Sequence, residues 1–278
     1  LLALLLILSG HFPAFAEDSA HAEPGSVWVL NLDGAVGPAT SDYLVRGIND
    51  ASAAKAALVI IEMNTPGGLD GAMRDIIEAI LTSPVPVATY VSPQGSRAAS
   101  AGTYILYASH FAAMAPATNL GAATPVSIAP TTPTAPKPLG DQRTEGSDAE
   151  ASATGTAMER KMVNDAAAYI RGLAELRGRN QQWAELAVRE AASLSASEAL
   201  AANVIDLIAI STEELIDQLH GREITIDGEI LILDLEGSPI FTAKPDWRTE
   251  LLATITNPSL VLILGMIGFY GIVLEFYN

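Results

Sequence analysis

The chain predicts an α/β fold with a mostly parallel sheet, on three observations. Ala57-Leu58-Val59-Ile60-Ile61 and Val87-Ala88-Thr89-Tyr90-Val91 are apolar runs without a polar face, the pattern of strands covered on both sides. Between them, Leu69 to Leu81 places Met73, Ile76, Ile77 and Ile80 on one helical stripe. Each apolar run then leads into very small residues, Asn64-Thr65-Pro66-Gly67-Gly68 after the first and Gly95-Ser96-Arg97-Ala98-Ala99-Ser100-Ala101-Gly102 after the second. Strand, helix, strand, helix in that order implies right-handed crossovers and layered packing.

The remaining elements follow in chain order. Leu1 to Leu8 and the small residues Ala14-Phe15-Ala16 form a secretory leader pattern, so residues 1–16 are set apart from the fold. Val27 to Leu32 is a strand ending at Asp33-Gly34, and Tyr43, Leu44 and Ile48 mark a helix over 40–49. Residues 127–158 carry Pro130, Pro133, Pro136 and Pro138 and then Asp141, Glu145, Asp148 and Glu150, too little apolar content to bury, so a mobile loop is expected. Helical spacing returns after Glu159 through Val163, Ala167, Ile170, Leu173 and Leu176 and stops at Gly178. A helix over 182–190 follows, then the capping box of Ser195 and Glu198, a strand over 204–208 and a helix over 212–219. Ile224 and Ile226, then Asp227-Gly228, then Ile230 and Ile232 read as a hairpin with a type I′ turn. Leu251 to Leu274 is uncharged for 24 residues, which predicts a transmembrane helix whose Gly265, Gly268 and Gly271 suit packing against another.

Composition excludes more than it identifies. Fifteen basic against 32 acidic residues leave a net charge of −17, and no basic patch is interleaved with aromatics, so nucleic acid is not an expected partner. Cysteine is absent, which removes disulfides and thiolate chemistry. The four histidines, at 11, 21, 110 and 220, have no ligand spacing, and His110 reads as a satisfied edge residue. No metal or cofactor is expected.

The small-residue segments are where chemistry concentrates. A helix start offers unpaired N–H donors, and glycine allows a close approach to the backbone. Ser100, at the opening of a helix, is a candidate nucleophile, although a small residue where a helix crosses a strand reads the same way. Ser96 is the rival hydroxyl.

Asn64-Thr65-Pro66-Gly67-Gly68, Gly95 to Tyr104, Met114-Ala115-Pro116 and Gly121-Ala122-Ala123-Thr124-Pro125-Val126 resemble the membrane-bound serine proteases of the long NfeD family, relatives of the Clp protease and signal-peptide peptidase A group. The likeness continues through Lys161 to Arg171, Gly178-Arg179-Asn180, Trp183-Ala184-Glu185, Ile255 to Pro258 and Glu275 to Asn278. The resemblance implies a Clp/crotonase-like fold of repeated β-β-α units, a variant that periodicity alone does not choose. It also implies a Ser-Lys dyad, with Ser100 as nucleophile and Lys161 as general base. Gly68 and Ala101 become the oxyanion donors, and Gly67, Asn164 and Tyr104 support them. A lysine of ordinary pKa, about 10.4, is charged near neutrality and cannot act as a base, so an apolar pocket around Lys161 is expected.

The domain reading is then a leader at 1–16, a Clp-like protease domain at 17–220, a short β element and membrane-proximal linker at 221–250, and a first membrane segment at 251–278. The resemblance implies that the chain continues past Asn278. The expected activity is endopeptidase cleavage within hydrophobic segments through an acyl-enzyme. The expected partners are a hydrophobic peptide or membrane-protein substrate, a stomatin-like protein, further copies of the chain and the lipid bilayer. The expected location is the bacterial inner membrane, with the protease domain on the periplasmic or extracellular side. A catalytically silent Clp-like scaffold and a crotonase-type acyl-CoA enzyme are the alternatives.

Overall fold

A computed structural model describes residues 23–126, 148–226, 228–255 and 258–277. The leader expected at 1–16, most of the expected loop and Asp227 of the hairpin turn lie outside the described residues. The order is β1 (Val27–Asp33), α1 (Pro38–Ala53), β2 (Leu58–Asn64), α2 (Asp70–Leu81), β3 (Val87–Val91), β4 (Arg97–Ala99), α3 (Ala101–Ala108), β5 (Phe111–Met114) and β6 (Asn119–Gly121). There follow α4 (Asp148–Leu176), α5 (Gln181–Arg189), β7 (Ser193–Ser195), α6 (Ala196–Ala201), β8 (Leu207–Ile208) and α7 (Thr212–Leu219). The chain ends with β9 (Glu223–Ile226), β10 (Glu229–Ile232), β11 (Ile240–Thr242), α8 (Trp247–Ile255) and α9 (Pro258–Tyr277).

The fold is mixed α/β with a mainly parallel sheet, in the order β11-β1-β2-β3-β5-β8 with every neighbouring pair parallel. Its strands are covered on both faces, which is why they read as continuous apolar runs. Trp28, Leu30 and Leu32 of β1 and Val59 and Ile61 of β2 pack toward α1, α2 and α3. The alternate residues Val27, Val29, Leu58 and Ile60 meet Leu215 and Leu219 of α7 and Leu233 and Leu235. A second sheet, β4-β6-β7, carries the site: β4 runs parallel to β6, and β7 antiparallel to it.

Buried Arg179 closes the far end of α3. Its Nη1 donates to the carbonyls of Leu106, Tyr107 and Ser109 at 3.2, 3.1 and 2.9 Å, and its Nη2 pairs with Asp206 at 2.6 Å. At the end of a helix the last carbonyls run short of N–H donors, Leu106 receiving only a 3.3 Å bond from the Ser109 N–H, so the guanidinium satisfies them and fixes the helix axis that begins at Ser100.

Three expectations change. Residues 148–158 belong to α4 and are not loop, because the alanine-rich stretch from Asp148 favours helix once Val163 onward is docked. The linker expected over 221–250 contains the β9–β10 hairpin as predicted, but β11 leaves it to pair with β1 at the edge of the main sheet. The transmembrane helix expected over 251–274 is divided between α8 and α9. Among the described residues, no helix is long and apolar enough to cross a membrane. The apolar side chains Leu262, Ile263, Leu264, Met266, Ile267 and Phe269 of α9 are nonetheless all exposed.

Candidate active site

Two loops at the ends of β2 and β4 converge. Thr65 joins them: its N–H donates to the Arg97 carbonyl at 2.8 Å, and its carbonyl accepts from the Ala99 N–H at 3.1 Å. Gly67 then sits at φ +106°, a left-handed backbone that favours glycine, and a Cβ there would lie 2.5 Å from the Ser100 Cβ. Gly68 is pinned to Val36, whose carbonyl would meet a Cβ at 2.0 Å. Val36 donates to the Gly67 carbonyl at 2.9 Å and accepts from Leu69 N–H at 2.8 Å. Gly67 is therefore required by dihedral and by close approach, and Gly68 by close approach alone.

Ser100 stands between β4 and α3 with φ 52° and ψ −116°. A non-glycine residue in that region costs about 1–3 kcal/mol and persists only when its surroundings over-determine it. Here they do. The Ser100 N–H donates to the Gly121 carbonyl at 3.0 Å, and the Ser100 carbonyl accepts from the Thr103 N–H at 2.9 Å. The Thr103 hydroxyl donates to the Ala98 and Gly121 carbonyls at 2.9 and 3.1 Å. A sharp strand-to-helix turn of this kind lifts a serine hydroxyl out of the sheet.

The Ser100 hydroxyl has no hydrogen-bond partner among the described residues and opens on a cleft of about 180 Å³. Gly68, Ser100 and Ala101 line one side of it; Met73, Arg74, Tyr104, Ala166 and Tyr169 line others. The N–H groups of Gly68 and Ala101 find no acceptor among the described residues, so two free donors flank the serine. Tyr104 donates from its hydroxyl to the Ala123 carbonyl at 3.1 Å and stacks on Tyr169 at 6.2 Å. Burial raises the Tyr104 phenol above its ordinary range, so it remains a neutral donor. Ser96 is buried in the turn after Pro93 and does not line the cleft.

Lys161 is placed differently from expectation. It is exposed, within a stretch of α4 from 157 to 161 that is exposed at every position, and it does not line the cleft. The apolar pocket expected around it is absent among the described residues, because α4 first packs onto the core at Val163, Ala166 and Ala167. Asn164 also points away: its Oδ1 accepts from Arg189 at 2.9 Å. The structure thus brings together Ser100, Gly67, Gly68, Ala101 and Tyr104, and leaves Lys161 and Asn164 outside the group. His110 is a satisfied edge residue, its Nδ1 accepting the Val87 N–H at 3.1 Å. Burial, with Arg177 and Arg179 nearby, lowers its pKa to about 3.

Sequence reasoning missed Thr103, Arg74 and Tyr169. Arg74 donates to Asp70 at 2.8 Å and Asp165 at 3.1 Å and lies 4.4 Å over the Tyr169 ring. The spacing of Asp70 to Arg74 was a visible signal; the crossing to α4 was not.

Comparison with known proteins bears directly on this arrangement. The family model for the NfeD1b N-terminal domain matches residues 26–137. A solved structure, the 1510-N membrane-bound stomatin-specific protease as a lysine-to-alanine mutant in complex with a substrate peptide, superposes with a TM-score of 0.68. It is 32% identical over 84% of this chain and 98% of that one. The chain belongs to the NfeD family. A serine-to-alanine mutant of the same protease gives a TM-score of 0.66 at 32% identity, over 80% of this NfeD chain and 99% of the other. Among curated relatives, the membrane-bound protease PH1510 of Pyrococcus horikoshii is 34% identical over 252 residues, 90% of this chain and 53% of its own length. Membrane protein NfeD1b of Bacillus subtilis is 27% identical over 262 residues, 94% of this chain and 53% of its own. The chain spans about half the length of these relatives.

Proposed function

We propose that this NfeD chain is the catalytic portion of a membrane-associated serine endopeptidase. The observation that carries the reading is the strained Ser100 backbone, which aims an unpaired hydroxyl into a cleft between two free N–H groups. In the reaction, the Ser100 Oγ bonds to the scissile carbonyl carbon while neutral Lys161 Nζ takes its proton. The carbonyl oxygen becomes an oxyanion held by the Gly68 and Ala101 N–H groups. Collapse breaks the C–N bond, with the Lys161 ammonium giving its proton to the leaving amine. A water then attacks the acyl carbon, losing a proton to neutral Lys161; collapse breaks the bond to Oγ, releases the carboxyl product and returns the Lys161 proton to Ser100. Lysine has no tautomer to fix, so no acidic third member is required.

The exposed position of Lys161 makes its arrival part of the reading: peptide or a neighbouring copy covers the 157–161 turn and dehydrates the amine. Met73 and the Tyr104–Tyr169 stack suit an apolar substrate segment, and the relative's description as stomatin-specific supports a stomatin-like partner. Exposed apolar side chains of α9 suit attachment to the bilayer at that end, and the leader pattern supports placement on the exported side.

A catalytically silent scaffold is the second reading, and the absence of Lys161 from the cleft favours it. Labelling of the membrane-bound chain with a serine-reactive fluorophosphonate separates the two. S100A abolishes labelling on the protease reading, while S96A retains it. Equal labelling of wild type and S100A, or none in either, refutes the protease reading.

A further inference from the structure

We propose that Arg74 is a positioning residue that keeps Asp165 from capturing Lys161 as a charged pair. This inference rests on the assignment of Lys161 as base. Lys161, Asp165 and Tyr169 lie at four-residue intervals on α4 and form one stripe along its surface, each step about 6 Å of rise. Arg74 of α2 holds two members of that stripe. Its Nη2 lies 3.1 Å from Asp165 Oδ2, and its guanidinium sits 4.4 Å over the Tyr169 ring. The same guanidinium is fixed from its own helix by Asp70, 2.8 Å from Nε. Arg74 thereby sets the rotation of α4 over the cleft and occupies the carboxylate one turn from Lys161.

On α2 the charged residues are Asp70, Arg74, Asp75 and Glu78. On α5 they are Glu185 and Arg189, which pair with one another, Glu185 also meeting Arg171 of α4. On α4, besides Lys161, they are Asp148, Glu150, Glu159, Arg160, Asp165, Arg171 and Glu175. Lys161 has no ion pair among the described residues. Removing the Arg74 guanidinium leaves Asp165 with Lys161 as the cation one turn away. A carboxylate at that range favours the ammonium and opposes the neutral amine that the reaction uses. Arginine suits this task because its planar fork meets two carboxylates and a ring at once, which an ammonium cannot do.

The test is the pH dependence of acylation of the full chain by a peptide ester, in wild type, R74Q, R74K, D165N, R74Q/D165N and K161A. In R74Q the rising limb moves up by about 0.2–0.4 pH unit, the size of an i,i+4 ion pair on a helix surface, so acylation near neutrality slows about 1.5- to 2.5-fold. R74K moves the limb less, in the same direction. D165N alone leaves its position where wild type has it, and added to R74Q it returns the limb to that position. A purely structural role for Arg74 leaves the limb in place and slows the double variant at least as much as R74Q. An unshifted limb in both R74Q and R74K overturns the proposal, as does a shift that D165N fails to cancel. Should R74Q not fold, R74K with and without D165N carries the same comparison. K161A keeps the failures apart: wild-type acylation in K161A removes the base assignment, whereas loss in K161A with unshifted Arg74 variants removes only the present inference.

Discussion

Replacing Ser100 with glycine should stabilise the protein relative to replacing it with alanine. Both substitutions delete the hydroxyl, which has no partner among the described residues, so the comparison isolates the Cβ. At φ 52° and ψ −116° a side chain is strained, and glycine is not. Relief of that strain contributes about 1–3 kcal/mol. Glycine also loosens the unfolded chain, which offsets about 0.4–1 kcal/mol. The net expectation is S100G more stable than S100A by about 1 kcal/mol, or roughly 2–4 °C in melting midpoint for a domain of this size. Urea denaturation should show the difference in the midpoint with an unchanged slope, since the surface exposed on unfolding is the same. Both variants lose acylation, so a gain in stability accompanies loss of activity. S100G less stable than S100A would mean that the turn is relaxed, and the argument that surrounding hydrogen bonds hold Ser100 under strain would fail.

Three further outcomes follow from the same geometry. G67A should slow acylation at least about a hundredfold through displacement of Ser100, since a Cβ there lies 2.5 Å from the serine Cβ; burst kinetics with a peptide ester measure it. R179A should cost about 3–5 kcal/mol in denaturant unfolding, because it strips the buried carbonyls ending α3 and leaves Asp206 without its cation, its carboxylate holding only the Ala112 N–H among the described residues. His110, with its pKa lowered to about 3, binds its proton in the unfolded chain first, so its contribution is intact above about pH 6.5 and lost as pH falls toward 3. The stability of wild type relative to H110Q should therefore fall by up to about 1.4 kcal/mol per pH unit through that window; parallel curves for the two proteins would contradict the assignment.

Much of the architecture was legible in residue order because its causes are local. Strands buried on both faces leave unbroken apolar runs, as in Leu58 to Ile61, and helices against them leave stripes such as Met73, Ile76, Ile77 and Ile80. The Ser195–Glu198 capping box formed as read, with the Ser195 N–H donating to Glu198 at 2.9 Å. The small-residue segments around Gly67 and Ser100 announced a place where backbone and side chain crowd together, since few other residues tolerate such approach.

What residue order did not contain is the set of distances between segments remote in the chain. The Thr65 bridge that puts Gly67 against Ser100 spans more than thirty residues. The hold of Arg74 on Asp165 spans 91, and that of Arg179 on Asp206 closes a helix from outside it. The strand β11 is three residues long and joins the main sheet only because β1 presents an unpaired edge. Lys161 shows the difference most clearly: a family resemblance singles it out as a candidate, but its exposure depends on where α4 first meets the core. Local pattern specifies which faces must be buried, and tertiary packing alone specifies which surfaces bury them and which charges face each other across the join.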